Sequence, residues 1–311
     1  MQTTGPTMIH KACTSLATAL MLSSAGARAQ DLFQSDVSGT IHEFAPGGTH
    51  STFASGLYAP HALAFDRAGN LFVGGYGGSI YQYAPDGAQS TFASGLGDVG
   101  GLAFDRAGNL YASDYTGGYV YEFTPDGTRS TFAAAIWPEA LAFNSAGELF
   151  VAEFSESLSR FAPDGQQSVF ASWVFDTYGM AFDGAGNLFV TGWDQHTNSC
   201  NIYEFTPDGT QTTFATGLIA PAGLAFNGAG NLFVADAVSG DIYQFAPDGT
   251  RSVFASGLTD PFALAFQGVS LPVPEPTACG LLVTSITAIL VRRRRSPQGS
   301  RRASSGIRVK A

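Results

Sequence analysis

The sequence predicts an all-β fold, a ring of six four-stranded blades of the β-propeller class. Three observations carry that expectation. A unit of about 40 residues recurs six times, each strand of the unit carries a column of aromatic residues, and the two ends hold complementary parts of one unit. The tripeptide Pro-Asp-Gly stands at Pro85, Pro125, Pro163, Pro207 and Pro247, with Pro46-Gly47-Gly48 as a variant, at spacings of 39, 40, 38, 44 and 40 residues. Leu-Ala-Phe or a close relative recurs with Phe65, Phe104, Phe143, Phe182, Phe226 and Phe266. Gly-Asn-Leu-Phe-Val begins at Gly69, Gly186 and Gly230, with variants at Gly108 and Gly147.

One unit shows the elements in order. Ala62 to Phe65 reads as the first strand, Asp66-Arg67-Ala68-Gly69 as a turn, and Asn70 to Val73 as the second strand. Ile80 to Tyr83 is the third, Ala84-Pro85-Asp86-Gly87 the next turn, and Ser90 to Ala93 the last. Pro85 presets φ at the first central turn position, and each Gly supplies a positive φ, as in a type I turn closed by a glycine bulge. The recurrent Asp-Gly is therefore turn chemistry. In the last strand the aromatic column runs Phe53, Phe92, Phe132, Phe170, Phe214 and Phe254. Some two dozen such rings are expected as wedges between blades, each contributing several kcal/mol by burial before entropy is counted.

Closure follows from the ends. Asp31 to Phe44 aligns with Asn231 to Phe245, one residue shorter, so the first unit lacks its inner strand. Ala263-Leu264-Ala265-Phe266 is an orphan inner strand at the other end. Pairing them gives five complete blades and one split blade, and removes the exposed edges of an open sheet.

The chain has 311 residues with 38 Gly, 25 Phe and a formal charge of -10. Between Gln30 and Pro272 stand 24 acidic residues and five basic ones (Arg67, Arg106, Arg129, Arg160, Arg251), a formal -19. Such a body repels a phosphate backbone, which argues against nucleic acid as a partner. Cys13 and Cys279 lie near the ends, which leaves Cys200 without a disulfide partner in the body. The fold then depends on its core.

Residues 1–29 read as a secretory signal: Lys11, an apolar run from Ala12 to Ser24, and Ala27-Arg28-Ala29 with cleavage after Ala29. The propeller is expected over 30–270. Residues 271–295 hold Val273-Pro274-Glu275-Pro276, an uncharged membrane-crossing stretch from Thr277 to Val291 and the cluster Arg292 to Arg295, with a disordered basic tail at 296–311. This order resembles the PEP-CTERM sorting signal of Gram-negative bacteria. The resemblance implies that Pro274, Glu275 and Pro276 are read by an exosortase-type processing enzyme. It also implies a transient stay in the inner membrane and a final place at the cell surface or outside it. The stretch Gly101 to Tyr111 is similar to the signature of NHL repeats and the wider TolB-like six-bladed group, and the likeness covers nearly all of 31–268.

Two repeat positions are expected at a channel mouth. The first precedes the inner strand: His61, Gly100, Glu139, Tyr178, Ala222 and Phe262. The second follows the second strand: Asp36, Gly75, Asp114, Glu153, Gly192 and Asp236. Asp36, Asp114, Glu153 and Asp236 are candidate ligands for a hard cation, Ca²⁺ or Mg²⁺, or else caps for neighbouring loops. His61, Glu139 and Tyr178 are candidate ligand-binding residues, joined by Trp193 and His196 from a longer fifth loop, Trp193 to Cys200. Similarity to gluconolactonase-type hydrolases casts Glu139 as their metal-binding Glu, but the Asn residues of that site have no counterparts here. Similarity to streptogramin lyases, which have seven blades, casts His61 by position as their catalytic His. The chain is thus expected to be an exported, non-enzymatic propeller that binds an exopolysaccharide or a surface protein. The alternative is a metal-dependent lactonase- or lyase-like enzyme with an acidic mouth.

Overall fold

A computed structural model of the chain describes residues 30–154 and 157–268. The segments expected to be a signal sequence, a sorting segment and a basic tail lie outside the described residues. Among the described residues there are 24 strands and no helix. The first three are β1 (Leu32–Asp36), β2 (Ile41–Phe44) and β3 (His50–Ala54). Next come β4 (Pro60–Phe65), β5 (Leu71–Gly75), β6 (Ile80–Tyr83) and β7 (Gln89–Ala93). The third blade is β8 (Val99–Phe104), β9 (Leu110–Asp114), β10 (Tyr119–Phe123) and β11 (Arg129–Ala134). The fourth is β12 (Pro138–Phe143), β13 (Leu149–Glu153), β14 (Ser157–Phe161) and β15 (Gln167–Ser172). The fifth is β16 (Met180–Phe182), β17 (Leu188–Asp194), β18 (Ser199–Phe205) and β19 (Gln211–Leu218). Then follow β20 (Pro221–Phe226), β21 (Leu232–Asp236), β22 (Asp241–Phe245), β23 (Arg251–Ala255) and the final β24 (Pro261–Phe266).

Each sheet is a four-stranded antiparallel meander, and the closing sheet has the order β24-β1-β2-β3. Leu32 pairs with Phe266 and Gln34 with Leu264, which joins the two ends as expected. The turns also match. Gly87 N–H donates to Ala84 O (2.8 Å), Ala84 N–H to Ala88 O (2.9 Å), and Gly87 has φ +83°. Most inner strands begin two residues earlier than expected, at Pro60 rather than Ala62, so their first residues rise to the channel entrance.

The aromatic columns interlock by one rule. Each second-strand ring meets the outer-strand ring of its own blade and the inner-strand Phe of the next, edge to face. Phe72 does so with Phe92 (5.0 Å) and Phe104 (5.1 Å), and Phe233 with Phe254 (5.0 Å) and Phe266 (4.9 Å) across the closing seam. Each outer-strand ring then touches the third-strand ring of the following blade, as Phe92 does Phe123. Four rings per blade give the two dozen wedges, and each such pair adds about 0.5–1.5 kcal/mol beyond burial.

The inner strands crowd the axis. A side chain at Gly101 would meet Glu139 O at 2.5 Å and Leu141 N at 2.9 Å, so β8 and β12 approach this closely because β8 carries glycine there. A register shift between Val99 and Leu102 frees the Gly101 N–H, which donates to Ser113 Oγ (2.6 Å). Ser113 Oγ donates in turn to Glu139 O in the next blade (2.7 Å). Thr191 Oγ1 does the first of these jobs for Gly179 (3.0 Å) and Ser35 Oγ for Ala263 (3.1 Å).

The longer fifth unit differs from expectation. Its extra residues do not form a loose loop but lengthen a hairpin, with Trp193 opposite Cys200 and Asp194 opposite Ser199. The inner strand β16 is cut to three residues, and Phe175 instead forms an isolated bridge to Trp193.

Candidate ligand-binding mouth

The two ends of the ring are chemically unlike. One end carries the Asp-Gly turns between first and second and between third and fourth strands. The other, the mouth, carries the loops from each outer strand to the next inner strand and from second to third strands. Thirteen large apolar side chains are exposed among the described residues, and eleven lie in or beside mouth loops. Only Val169 and Val253 stand elsewhere, on outer strands. Trp173 and Tyr58 are 77% and 73% exposed, far beyond what scattered surface residues need for packing. All three tryptophans, Trp137, Trp173 and Trp193, belong to this end.

Backbone pairing places many of these rings. In five of the six blades the residue after the second-strand position donates its N–H to the loop ahead of the inner strand. Examples are Tyr76 to Ala59 O (3.3 Å), Tyr115 to Asp98 O (2.8 Å), Phe154 to Trp137 O (3.3 Å) and Trp193 to Phe175 O (2.9 Å). Ala59, Trp137 and Asp260, each directly before an inner-strand start, hold φ between +41° and +45°. This left-handed conformation costs a non-glycine residue about 1 kcal/mol or more. It turns the loop so that Tyr115 stacks on Trp137 (6.3 Å) and Trp137 meets Phe154 (5.1 Å).

The four acids proposed from the sequence as metal ligands do not form one cluster. Each is engaged by its own loop. Asp36 accepts from Thr40 N–H (3.0 Å) and Ser38 Oγ (2.6 Å) and contacts His42 Nε2 (3.2 Å). Asp114 accepts from Gly97 N–H (2.9 Å) and Gly117 N–H (2.6 Å). Glu153 accepts from Ser159 Oγ (2.6 Å) and Ile136 N–H (3.4 Å), and Asp236 from Ile219 N–H (2.8 Å) and Ala220 N–H (2.9 Å). Among the described residues no group of three or more His, Cys, Asp or Glu is spaced to hold a metal ion. These side chains therefore do not fit a lactonase-type metal centre, and their geometry is that of loop caps.

The inner-strand position does converge. His61, Tyr178 and Phe262 line the channel entrance together, with Gly100 leaving room beside them. The His61 ring is stacked on Phe262 (4.4 Å, 19°) and tilted against Tyr76 (4.4 Å), and its Nε2 is buried without a partner. Burial holds the His61 pKa below the ordinary 6.5, with Asp98 opposing. Glu139 is pushed up to about 7, first by burial and then by Asp176. Tyr178 is pushed up to about 12 by burial, then by Glu139 and Asp176. Burial also raises Tyr76 and Tyr115, and both feel Glu139 and Asp98. One mouth thus gathers Glu139, Asp98 and Asp176 among aromatic rings.

Trp193 joins this site, lining a side cavity of about 250 Å³ with Asp176, Tyr178, Cys200 and Phe262. His196 does not line it. It sits at the tip of the β17–β18 hairpin, its side chain 97% exposed and 3.6 Å from Asp194. Burial raises the Cys200 pKa, which leaves a thiol rather than a thiolate nucleophile. Sequence reasoning missed Asp98, Asp176, Tyr76, Tyr115, Trp137 and Phe154. For Tyr76, Tyr115 and Phe154 the signal was present one residue beyond the second repeat position, which reads Val37, Tyr76, Tyr115, Phe154, Trp193 and Ala237.

No family model matches the chain, and no curated protein matches it in sequence. Solved structures do share the fold. A streptogramin B lyase superimposes with a TM-score of 0.58 at 14% identity, over 76% of this chain and 83% of that one. A protein assigned as a gluconolactonase gives 0.58 at 15% identity, over 72% and 93%. A catalytically inactive virginiamycin B lyase from Staphylococcus aureus with Quinupristin gives 0.58 at 12%, over 78% and 94%. Identities this low establish a shared architecture and nothing about activity.

Proposed function

We propose that this chain is an exported propeller of the cell surface or extracellular matrix that binds an exopolysaccharide at its mouth without transforming it. One observation carries the reading: eleven of thirteen exposed large apolar side chains lie at one end of the ring, around a recess that also holds carboxylates. Rings exposed beside polar groups suit sugars, whose apolar faces stack while their hydroxyls bond to acids. The order of signal, propeller and sorting segment in the sequence supports export, with Pro274, Glu275 and Pro276 as the mark for an exosortase-type enzyme and the Thr277 to Val291 stretch as a transient inner-membrane segment. The lactonase or lyase alternative rests on fold likeness and on Glu139 and His61 sharing the mouth. Among the described residues no group of three or more His, Cys, Asp or Glu is spaced to hold the metal ion it would need.

The test is affinity electrophoresis of the chain through gels cast with matrix polysaccharide from the producing bacterium. Wild type is expected to be retarded, and the double variant Trp137→Ala, Trp173→Ala to run freely while keeping its β-sheet spectrum. Equal mobility of the two proteins would sink the proposal. For export, replacing Pro274 and Glu275 with Ala is expected to trap the chain in the membrane fraction, and unchanged release would count against the sorting signal.

A further inference from the structure

We propose that the mouth recognises an ammonium group, so that the bound polysaccharide is one with free amino sugars. This rests on the reading of the mouth as the polysaccharide site and narrows the ligand's chemistry.

The argument is charge complementarity in a recess walled by rings. Asp176 lines a cavity of about 250 Å³ with Tyr178, Trp193 and Phe262. Asp98 O accepts the Tyr115 N–H (2.8 Å), and Glu139 stands two residues after Trp137 at the start of β12, where its charge opposes ionisation of Tyr76, Tyr115 and Tyr178. Among the described residues no lysine or arginine at this end neutralises these three acids. The described residues hold no lysine, and their five arginines lie elsewhere. Arg67 and Arg106 are in turns at the opposite end, Arg129 and Arg251 open outer strands, and Arg160 is in β14. His61, held neutral by burial at neutral pH, supplies no cation either.

One polar atom of a residue lining the channel entrance also lacks a partner, the buried Nε2 of His61. Buried polar groups seldom stay unsatisfied, and a bound donor is one remedy. Aromatic rings with carboxylates behind them are the chemistry of cation–π recognition, which is strengthened where water is excluded. A neutral sugar stacks on the rings and donates its hydroxyls to the acids but brings no charge to offset theirs, and an acidic sugar is repelled by them.

Tryptophan fluorescence reads the site directly, because all three tryptophans lie at this end. Full-length protein is titrated with glucosamine trimer and N-acetylglucosamine trimer, and separately with choline and its uncharged carbon isostere 3,3-dimethylbutan-1-ol. The charged member of each pair is expected to bind roughly tenfold more tightly, less so in high salt. Glu139→Gln and Tyr76→Ala are each expected to weaken the charged ligands severalfold while the fold, read by circular dichroism, is kept. Equal affinity within both pairs, or no response to either cation, overturns the inference. If the N-acetylated trimer binds and glucosamine does not, the ammonium inference falls and the sugar-binding reading stands. Loss of that reading is seen separately, as polysaccharide gels that retard wild type and the tryptophan double variant alike.

Discussion

Replacing Glu139 with Gln is expected to stabilise the propeller above neutral pH and to leave it unchanged near pH 4. The carboxyl is half-buried at an inner-strand start, and its folded pKa is raised from 4.5 to about 7, first by burial and then by Asp176. Between those values the folded state holds more protons than the unfolded chain, so stability falls as pH rises through the interval. Below about pH 4 both states hold the proton and nothing is lost. Above about pH 8 the whole gap is felt. At about 1.4 kcal/mol for each tenfold change in proton affinity, the gap amounts to about 3 kcal/mol, which partial exposure reduces to about 1–2 kcal/mol. For a domain of this size that is roughly 2–6 °C in melting temperature. Thermal unfolding of wild type and Glu139→Gln at half-unit steps from pH 4 to 9 measures it. The two curves are expected to coincide at the acid end and to separate steadily, with the variant above. Parallel curves, or a gap that widens toward acid, would refute the account of Glu139 as a carboxyl kept partly protonated by its surroundings.

Other expectations follow the same geometry. His61, with a pKa pulled below 6.5 by burial, contributes stability that is present above that value and lost as pH falls through the lowered one. His61→Phe, which keeps a ring against Phe262, is expected to reduce the drop in melting temperature between pH 7.5 and 5. An unchanged drop would mean that His61 is not the group being charged. Gly101→Ala presses a methyl group on Glu139 O and is expected to cost about 2–4 kcal/mol in urea unfolding, whereas Gly87→Ala in an exposed turn loses only the positive-φ preference, about 1 kcal/mol. Ser113→Ala removes the hydroxyl bridging two blades and is expected to cost about 1–3 kcal/mol, and near-neutrality would show that water replaces it. Millimolar Ca²⁺ is expected to leave the melting temperature of the propeller unmoved, since Asp36, Asp114, Glu153 and Asp236 already accept bonds from loop donors. A calcium-dependent rise abolished by Asp236→Asn would restore the metal reading.

The ring was legible because its determinants are local and repeated. Pro85-Asp86-Gly87 sets a turn by its own φ preferences, Phe92 finds the same neighbours in every copy, and the half-units at Asp31 and Ala263 can only pair with each other. What differed was local too. The residues from Trp193 to Cys200 read as a loop, yet paired as strands, because Trp193 found Phe175 O and Cys200 as partners that lie outside the repeat arithmetic.

The mouth was less legible, and the reason is that repeat position reports direction but not company. Asp36 and Glu139 looked alike as acids near a channel. Only the fold put backbone and hydroxyl donors within reach of the four second-strand acids while leaving Glu139 against Asp176 and a wall of phenols. His61 was named by position, but its stacking on Phe262 joins residues 201 apart in the chain, brought side by side by closure of the ring. By itself the sequence determined the number of blades, the turns and the aromatic wedges, since each depends on neighbours a fixed distance along the chain. The tertiary structure decided which acids are spent on loops and which remain for a ligand, because burial and charge proximity depend on six inner strands meeting at one axis.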